Sequence, residues 1–306
     1  MQAIFHKDGI LRVIMTETSS ERFSVSDVAG VEEENLGVMD ESLLNHVSKT
    51  EKGLNLTLGS SRYEFDYSPF RIRQYLNDSL AAIINHKDTL YFENSSSYDV
   101  EKTFDKGERL KAVEDLISDK RECLSSYLRN SGLSNRTIFR YFAIDRYRGE
   151  VGEAETMETD DYRSSFSLGF YLPARHLFGL PERPDSFKLG TTEKGDPYRL
   201  HALDVFPHKT YSRQPLYSSM PYLTAHGDSI DVSVLWMTAS ETWVDLYNDT
   251  RNGSYANFVT ESGKLEFFLF SSQEGPSKVQ KTLVKITGFP TLPPIFSLGY
   301  HYSKWE

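Results

Sequence analysis

Apolar and polar residues alternate with a period close to two from Ile4 to about Glu93. The runs are ILRVIM (10–15), LNLTL (54–58), YEFDYSPFRIRQYL (63–76) and LAAIINHKDTLYFE (80–93), separated by breaks holding Gly, Asn, Asp and Ser. Short alternating runs between turn-forming residues predict antiparallel β structure. His86-Lys87-Asp88 predicts a hairpin turn. The pattern then changes: Leu110, Val113, Leu116, Ile117, Leu124, Tyr127 and Leu128 recur at three and four within 100–129, with charges between them. That spacing predicts one amphipathic helix, continuous or broken, stopped by Gly132. The acidic run EVGEAETMETDD (150–161) has no period and reads as a mobile, solvated linker. It lacks the alternating ligands and central glycine of a calcium loop.

The β pattern resumes with SFSLGFYL (165–172), YRLHALDVF (198–206), YLTAH (222–226), VSVLWMTA (232–239), TWVDLY (242–247) and KLEFFLF (264–270). Gly275-Pro276 opens a second helix, SKVQKTLVKI, and Gly288 closes it, since proline suits a first helical turn and glycine a helix end. After Pro293-Pro294, the nearly continuous apolar run 295–302 predicts a strand buried on both faces. A helix leading through a proline link into such a strand is how an α/β unit begins. The expectation is a complete β domain joined to the first strand of something else.

Composition narrows the partners. A length of 306 residues suffices for a large core, and a net charge of −10 argues against nucleic acid or an anionic membrane. No apolar stretch approaches the length of about 18 residues that spans a bilayer. The opening residues lack the pattern of a signal peptide. Cys123 is the single cysteine, which leaves no internal disulfide and no cysteine zinc site. Six Asn-x-Ser/Thr triplets, at Asn55, Asn77, Asn94, Asn135, Asn248 and Asn252, exceed chance and point to glycosylation machinery, the rival reading being turn-rich composition.

Motifs of catalysis are missing: no Gly-x-Ser-x-Gly, no phosphate-binding glycine loop, no His-Glu-x-x-His. His176, His201, His208, His226 and His301 are scattered without metal-ligand spacing. Trp236, Trp243, Tyr217 and Phe206 are aromatic enough to stack on sugar rings, although Trp in sandwich strands more often fills core.

Specific phrases go further. FGLPERPDSFKL (178–189), DPYRLHALDVF (196–206), LYSSMPYLTAH (216–226), LWMTASETWVDL (235–246), ESGKLEFFLF (261–270) and LPPIFSLGYHYSKW (292–305) occur in order, after ILRVIMTE and SPFRIRQY. Together they resemble the N-terminal region of glycoside hydrolase family 31, in its branch of glucosidase II catalytic subunits and neutral α-glucosidases. The resemblance covers nearly the whole chain outside about 95–160. Ser218, Tyr302 and Lys304 depart from the family's usual glycine, glutamine and arginine.

The resemblance implies a mainly β chain. Residues 1–290 would form a galactose-mutarotase-like β-sandwich with a helical and acidic insert at about 95–161. Residues 291–306 would be the first strand of a truncated (β/α)8 barrel. The family's aspartate nucleophile and acid/base would lie further along that barrel, so no catalytic residue, metal or cofactor is expected here. Asp204 and Phe206 match a loop that reaches the active-site rim, Asp204 bonding a sugar hydroxyl and Phe206 stacking on the ring. The implied ligands are α-glucosides and glucosylated N-glycans. The implied partner is a glucosidase II β-type subunit, and the implied place is the endoplasmic reticulum lumen. Two rivals remain, a stand-alone carbohydrate-binding or folding-surveillance module and an aldose epimerase.

Overall fold

Residues 1–17, 22–25, 31, 36–37, 44–92, 165–192, 196–205, 209–249 and 253–304 are described by the computed structural model. The helix expected over 100–129 and the acidic run 150–161 lie outside them. Among the described residues, eight strands precede residue 93: β1 (Gln2–His6), β2 (Ile10–Met15), β3 (Leu44–Lys49), β4 (Gly53–Leu58), β5 (Ser61–Tyr67), β6 (Phe70–Leu76), β7 (Ser79–Ile84) and β8 (Tyr91–Phe92). Eight more follow: β9 (Phe166–Leu172), β10 (His176–Gly179), β11 (Tyr198–Leu200), β12 (Tyr222–His226), β13 (Asp231–Trp236), β14 (Thr242–Asn248), β15 (Ser254–Thr260) and β16 (Leu265–Ser272). They pair into two antiparallel sheets, β1-β2-β16-β13-β12-β10 and β11-β14-β15-β9-β7-β6-β5-β4-β3, with β8 also on β9. The antiparallel β structure read from the alternation, arranged as the sandwich that the resemblance implied, is the fold observed.

The alternation explains the core directly. Leu56, Leu58, Tyr63, Phe65 and Ile72 from β4–β6 point into one cluster with Phe166, Leu168 and Phe170 of β9. The small sheet answers with Leu11, Val13, Val232, Val234, Phe267 and Leu269. Trp236 sits between the sheets and is fully buried. Its ring stacks on Phe258 at 5.0 Å and meets Phe170 edge-on at 6.1 Å, and its indole N–H donates to Thr260 Oγ1 at 2.9 Å. The core reading of that tryptophan is the observed one; Trp243 is buried too.

Helix α1 (Pro276–Thr287) covers the outer face of the small sheet. Val279, Thr282, Leu283 and Ile286, at helical spacing, pack into a second cluster with Leu235, Phe268 and Phe270. Gly275 (φ 93°) and Gly288 (φ 72°) bracket it in backbone conformations that favour glycine. The helix therefore starts and stops where the sequence reading placed it.

Three local expectations are corrected. The residues His86-Lys87-Asp88 do turn, but β7 and β8 do not pair with each other. Both lie along β9, β7 at Tyr171 and Phe170 and β8 at Ser167 and Phe166, so 85–90 loops out between them. Asn85 is the physical cause: at φ 59°, its amide donates to Phe70 O (2.6 Å) and its Oδ1 accepts from Leu90 N (2.8 Å). Second, among the described residues of YRLHALDVF, Tyr198–Leu200 is strand and 201–205 leaves the sheet.

Third, the terminal run does not form a strand. Ile295–Leu298 is a 3-10 turn held by local bonds, Ser297 N to Pro294 O (2.9 Å) and Gly299 N to Phe296 O (3.4 Å). A strand needs neighbours for its amides and carbonyls, and none of the described strands pairs with this run. Far from being buried, Phe289, Leu292, Ile295, Phe296, Leu298, Tyr300 and Tyr302 all lie more than 70% exposed. Burying such a side chain stabilises by about 1.5–3 kcal/mol, so this patch favours contact with another surface. The chain is expected to self-associate, and a version ending at Gly288 is expected to stay monomeric. Sedimentation of both at matched concentration checks this; identical monomeric behaviour would refute it.

Candidate functional site

The segment between β10 and β12 leaves the small sheet, joins the large one at β11, and returns. Its outgoing arm (180–192), middle arm (196–205) and return arm (209–221) are stitched by backbone bonds. Met220 N donates to Pro181 O (3.0 Å), Glu182 N to Ser218 O (2.9 Å), Leu216 N to Glu182 O (3.0 Å) and Ser212 N to Pro184 O (3.0 Å). Leu203 N donates to Leu216 O at 2.7 Å, which locks the middle arm to the return arm. A loop so satisfied holds one shape although it lies outside the sheets.

Asp204 and Tyr217 each follow one partner of that last bond. Asp204 is exposed and Tyr217 is 59% exposed. The neighbouring Asp204 carboxylate raises the pKa of the Tyr217 phenol, by side-chain hydrogen bonding first and by its charge second. An outward carboxylate beside an outward aromatic ring can offer one hydroxyl acceptor and one stacking face to a sugar. Phe187 and Tyr211 on the same segment are more than 80% exposed. Of the two residues singled out in the sequence, Asp204 is placed on this loop and Phe206 lies outside the described residues. The pairing with Tyr217 was not legible, because the return arm that brings it back carries no recognisable spacing.

The other candidates separate. His201 Nδ1 lies 3.7 Å from Glu241 Oε2, and Glu241 also bridges Arg199. His226 Nδ1 bonds the buried Asp231 at 2.5 Å at a strand end. His301 bonds Ser297 O (2.8 Å) and His176 is exposed, while His208 lies outside the described residues. Among the described residues, no three His, Cys, Asp or Glu side chains group in a way that could hold a metal ion. No helix among them is long and apolar enough to cross a membrane.

Two polar features on the outer face of the large sheet escaped the sequence reading. The 85–90 loop lays His86 against Tyr171 and Tyr255 (5.3 and 5.6 Å) and Lys87 over Tyr255 and Tyr247 (4.1 and 4.9 Å). Burial lowers the pKa of both His86 and Lys87. These tyrosine faces are covered by the loop itself. Beside them, Asp245 is buried and accepts from Thr192 Oγ1 at 2.7 Å. Burial pushes its carboxyl up to about 7, against a smaller lowering by that bond.

The chain matches the family described as the glycosyl hydrolase 31 N-terminal galactose mutarotase-like domain over residues 1–245. It is 39% identical to neutral alpha-glucosidase AB of Sus scrofa over 164 residues, 47% of this chain and 17% of that protein. It is 26% identical to glucosidase 2 subunit alpha of Saccharomyces cerevisiae over 267 residues, 87% of this chain and 24% of that one. A crystal structure of glucosidase II alpha subunit, bound to alpha3-Glc2, superposes with a TM-score of 0.71 at 20% identity, over 98% of this chain and 32% of that one. The chain thus spans less than a third of each of these relatives. On the strength of the match over 1–245, the chain belongs to glycoside hydrolase family 31, as its N-terminal galactose-mutarotase-like domain.

Proposed function

We propose that this chain is the front part of a glucosidase II-like α-glucosidase and supplies scaffold and one side of the sugar-site rim. The observation that carries the reading is the outward pair Asp204 and Tyr217 on a loop fixed by backbone bonds. In this reading Phe206 stacks on the sugar of the leaving group. The segment 291–306 becomes the barrel's first strand once downstream sequence supplies its neighbours, which accounts for the exposed apolar side chains there. The two carboxylates of retaining hydrolysis belong to that downstream barrel.

The substrates are α-glucosides, and the biological ones glucosylated N-glycans trimmed in the endoplasmic reticulum lumen. A solved relative is the endoplasmic-reticulum glucosidase II catalytic subunit in complex with the binding domain of its regulatory subunit. By extension, a β-type subunit is the proposed partner of the longer protein.

The aldose epimerase alternative requires a histidine and a glutamate on opposite sides of a sugar ring. Among the described residues, His201 and Glu241 lie 3.7 Å apart, and Glu241 is engaged by Arg199. The chain alone is expected to show no turnover of a chromogenic α-glucoside, while a protein extended through the barrel hydrolyses it. Turnover by the isolated chain that disappears on changing one of its own carboxylates would overturn the reading.

A further inference from the structure

We propose that Arg183 is the positioning residue of the rim, a single guanidinium that ties together the three arms carrying Asp204 and Tyr217. Its Nε donates to Leu180 O (2.7 Å) on the outgoing arm, Nη2 to Arg199 O (3.0 Å) on the middle arm and Nη1 to Arg213 O (2.8 Å) on the return arm. Each arm thus gives one carbonyl to one planar fork, a geometry that lysine's single ammonium cannot reproduce.

Its guanidinium packs over one ring, Tyr198, at 5.0 Å from the centroid, and Arg213 packs over the same ring at 4.9 Å. Arg213 repeats the device, donating to Asp196 O and Oδ1 (both 2.8 Å) and to Thr191 O (2.6 Å). The Tyr198 hydroxyl accepts from Gly190 N at 2.8 Å and lies 3.3 Å from Asp185 Oδ2, so the ring between the two arginines is itself anchored. Burial pulls the Arg183 pKa down to about 10, which still leaves it charged at neutral pH. The clamp reaches the rim through the middle arm, which runs from Arg199 to the Asp204 carboxylate in five residues, and Leu203 N meets Leu216 O just before Asp204 and Tyr217.

The inference rests on the rim reading, and the test keeps the two apart. In the full-length protein, Arg183→Lys and Arg213→Lys are compared with the parent by hydrogen exchange and by kinetics on an α-linked glucose disaccharide. Exchange over 199–205 and 212–218 is expected to rise at least about tenfold, with strands β13, β15 and β16 unchanged. kcat/KM is expected to fall about tenfold, and to fall little further when Arg183→Lys is added to Asp204→Ala, because Arg183 acts through Asp204. Unchanged exchange in the loop, or losses that multiply in the double variant, would overturn the proposal. A loosened loop with Asp204→Ala kinetically silent would leave the clamp standing and overturn the rim reading instead.

Discussion

Relative to the parent, the chain with Asp245 replaced by asparagine is expected to gain about 4 kcal/mol of stability between pH 4 and pH 8. The carboxyl ordinarily titrates at 3.8, and burial raises it to about 7 in the folded protein. Between those values the folded chain keeps a proton that the unfolded chain has lost. Stability attributable to this group therefore falls as pH rises through the window, and the full penalty is present above about pH 7. Thr192 Oγ1 and Arg213 favour the ionised form, while Asp196 opposes it together with burial, and burial outweighs the first two. Asparagine has the shape of the protonated acid, still accepts from Thr192, and never ionises. The measurement is the melting temperature of both proteins from pH 4 to pH 8. The gap should widen by several degrees with rising pH, since each kcal/mol shifts a domain of this size by about 2–4 °C. A gap independent of pH would mean that Asp245 is not the buried acid described.

How far these features could be read from the sequence depends on what each one needs. Strands β4–β6 were legible because one face is buried and one is wet, so Leu56, Leu58, Tyr63 and Phe65 alternate with polar residues. The helix over 276–287 was legible because its ends are marked by Gly275, Pro276 and Gly288. The 85–90 loop was not, because its course depends on β9, some eighty residues later in the chain. The run 295–302 has the composition of a strand and takes another form, since composition cannot supply a pairing neighbour. In the same way, the alternation TWVDLY sends Asp245 to the outer face of its sheet. Only the segment carrying Thr192, laid across that face, makes it a buried acid. Asp204 was reached through resemblance, because a lone aspartate in a loop has no period to betray it. Its partner Tyr217 and the clamp at Arg183 required the fold.

In the full-length protein, Asp204→Ala is expected to lower kcat/KM by about 10- to 150-fold while leaving the melting temperature nearly unchanged. The first expectation follows from a charge-assisted hydrogen bond to a substrate hydroxyl, typically worth about 1.5–3 kcal/mol, with about 1.4 kcal/mol per tenfold in rate. The second follows from exposure, for Asp204 buries no core surface and its one described side-chain partner is the equally outward Tyr217. If Asp204 merely shaped the loop, its loss would destabilise the arms and spare the chemistry of whatever protein stayed folded. Measuring kcat/KM on an α-linked glucose disaccharide, alongside thermal melting of the same preparation, separates the two. A large kinetic loss at constant stability is the result this account predicts. A lowered melting temperature with normal kinetics would contradict it and make Asp204 a residue of the loop alone.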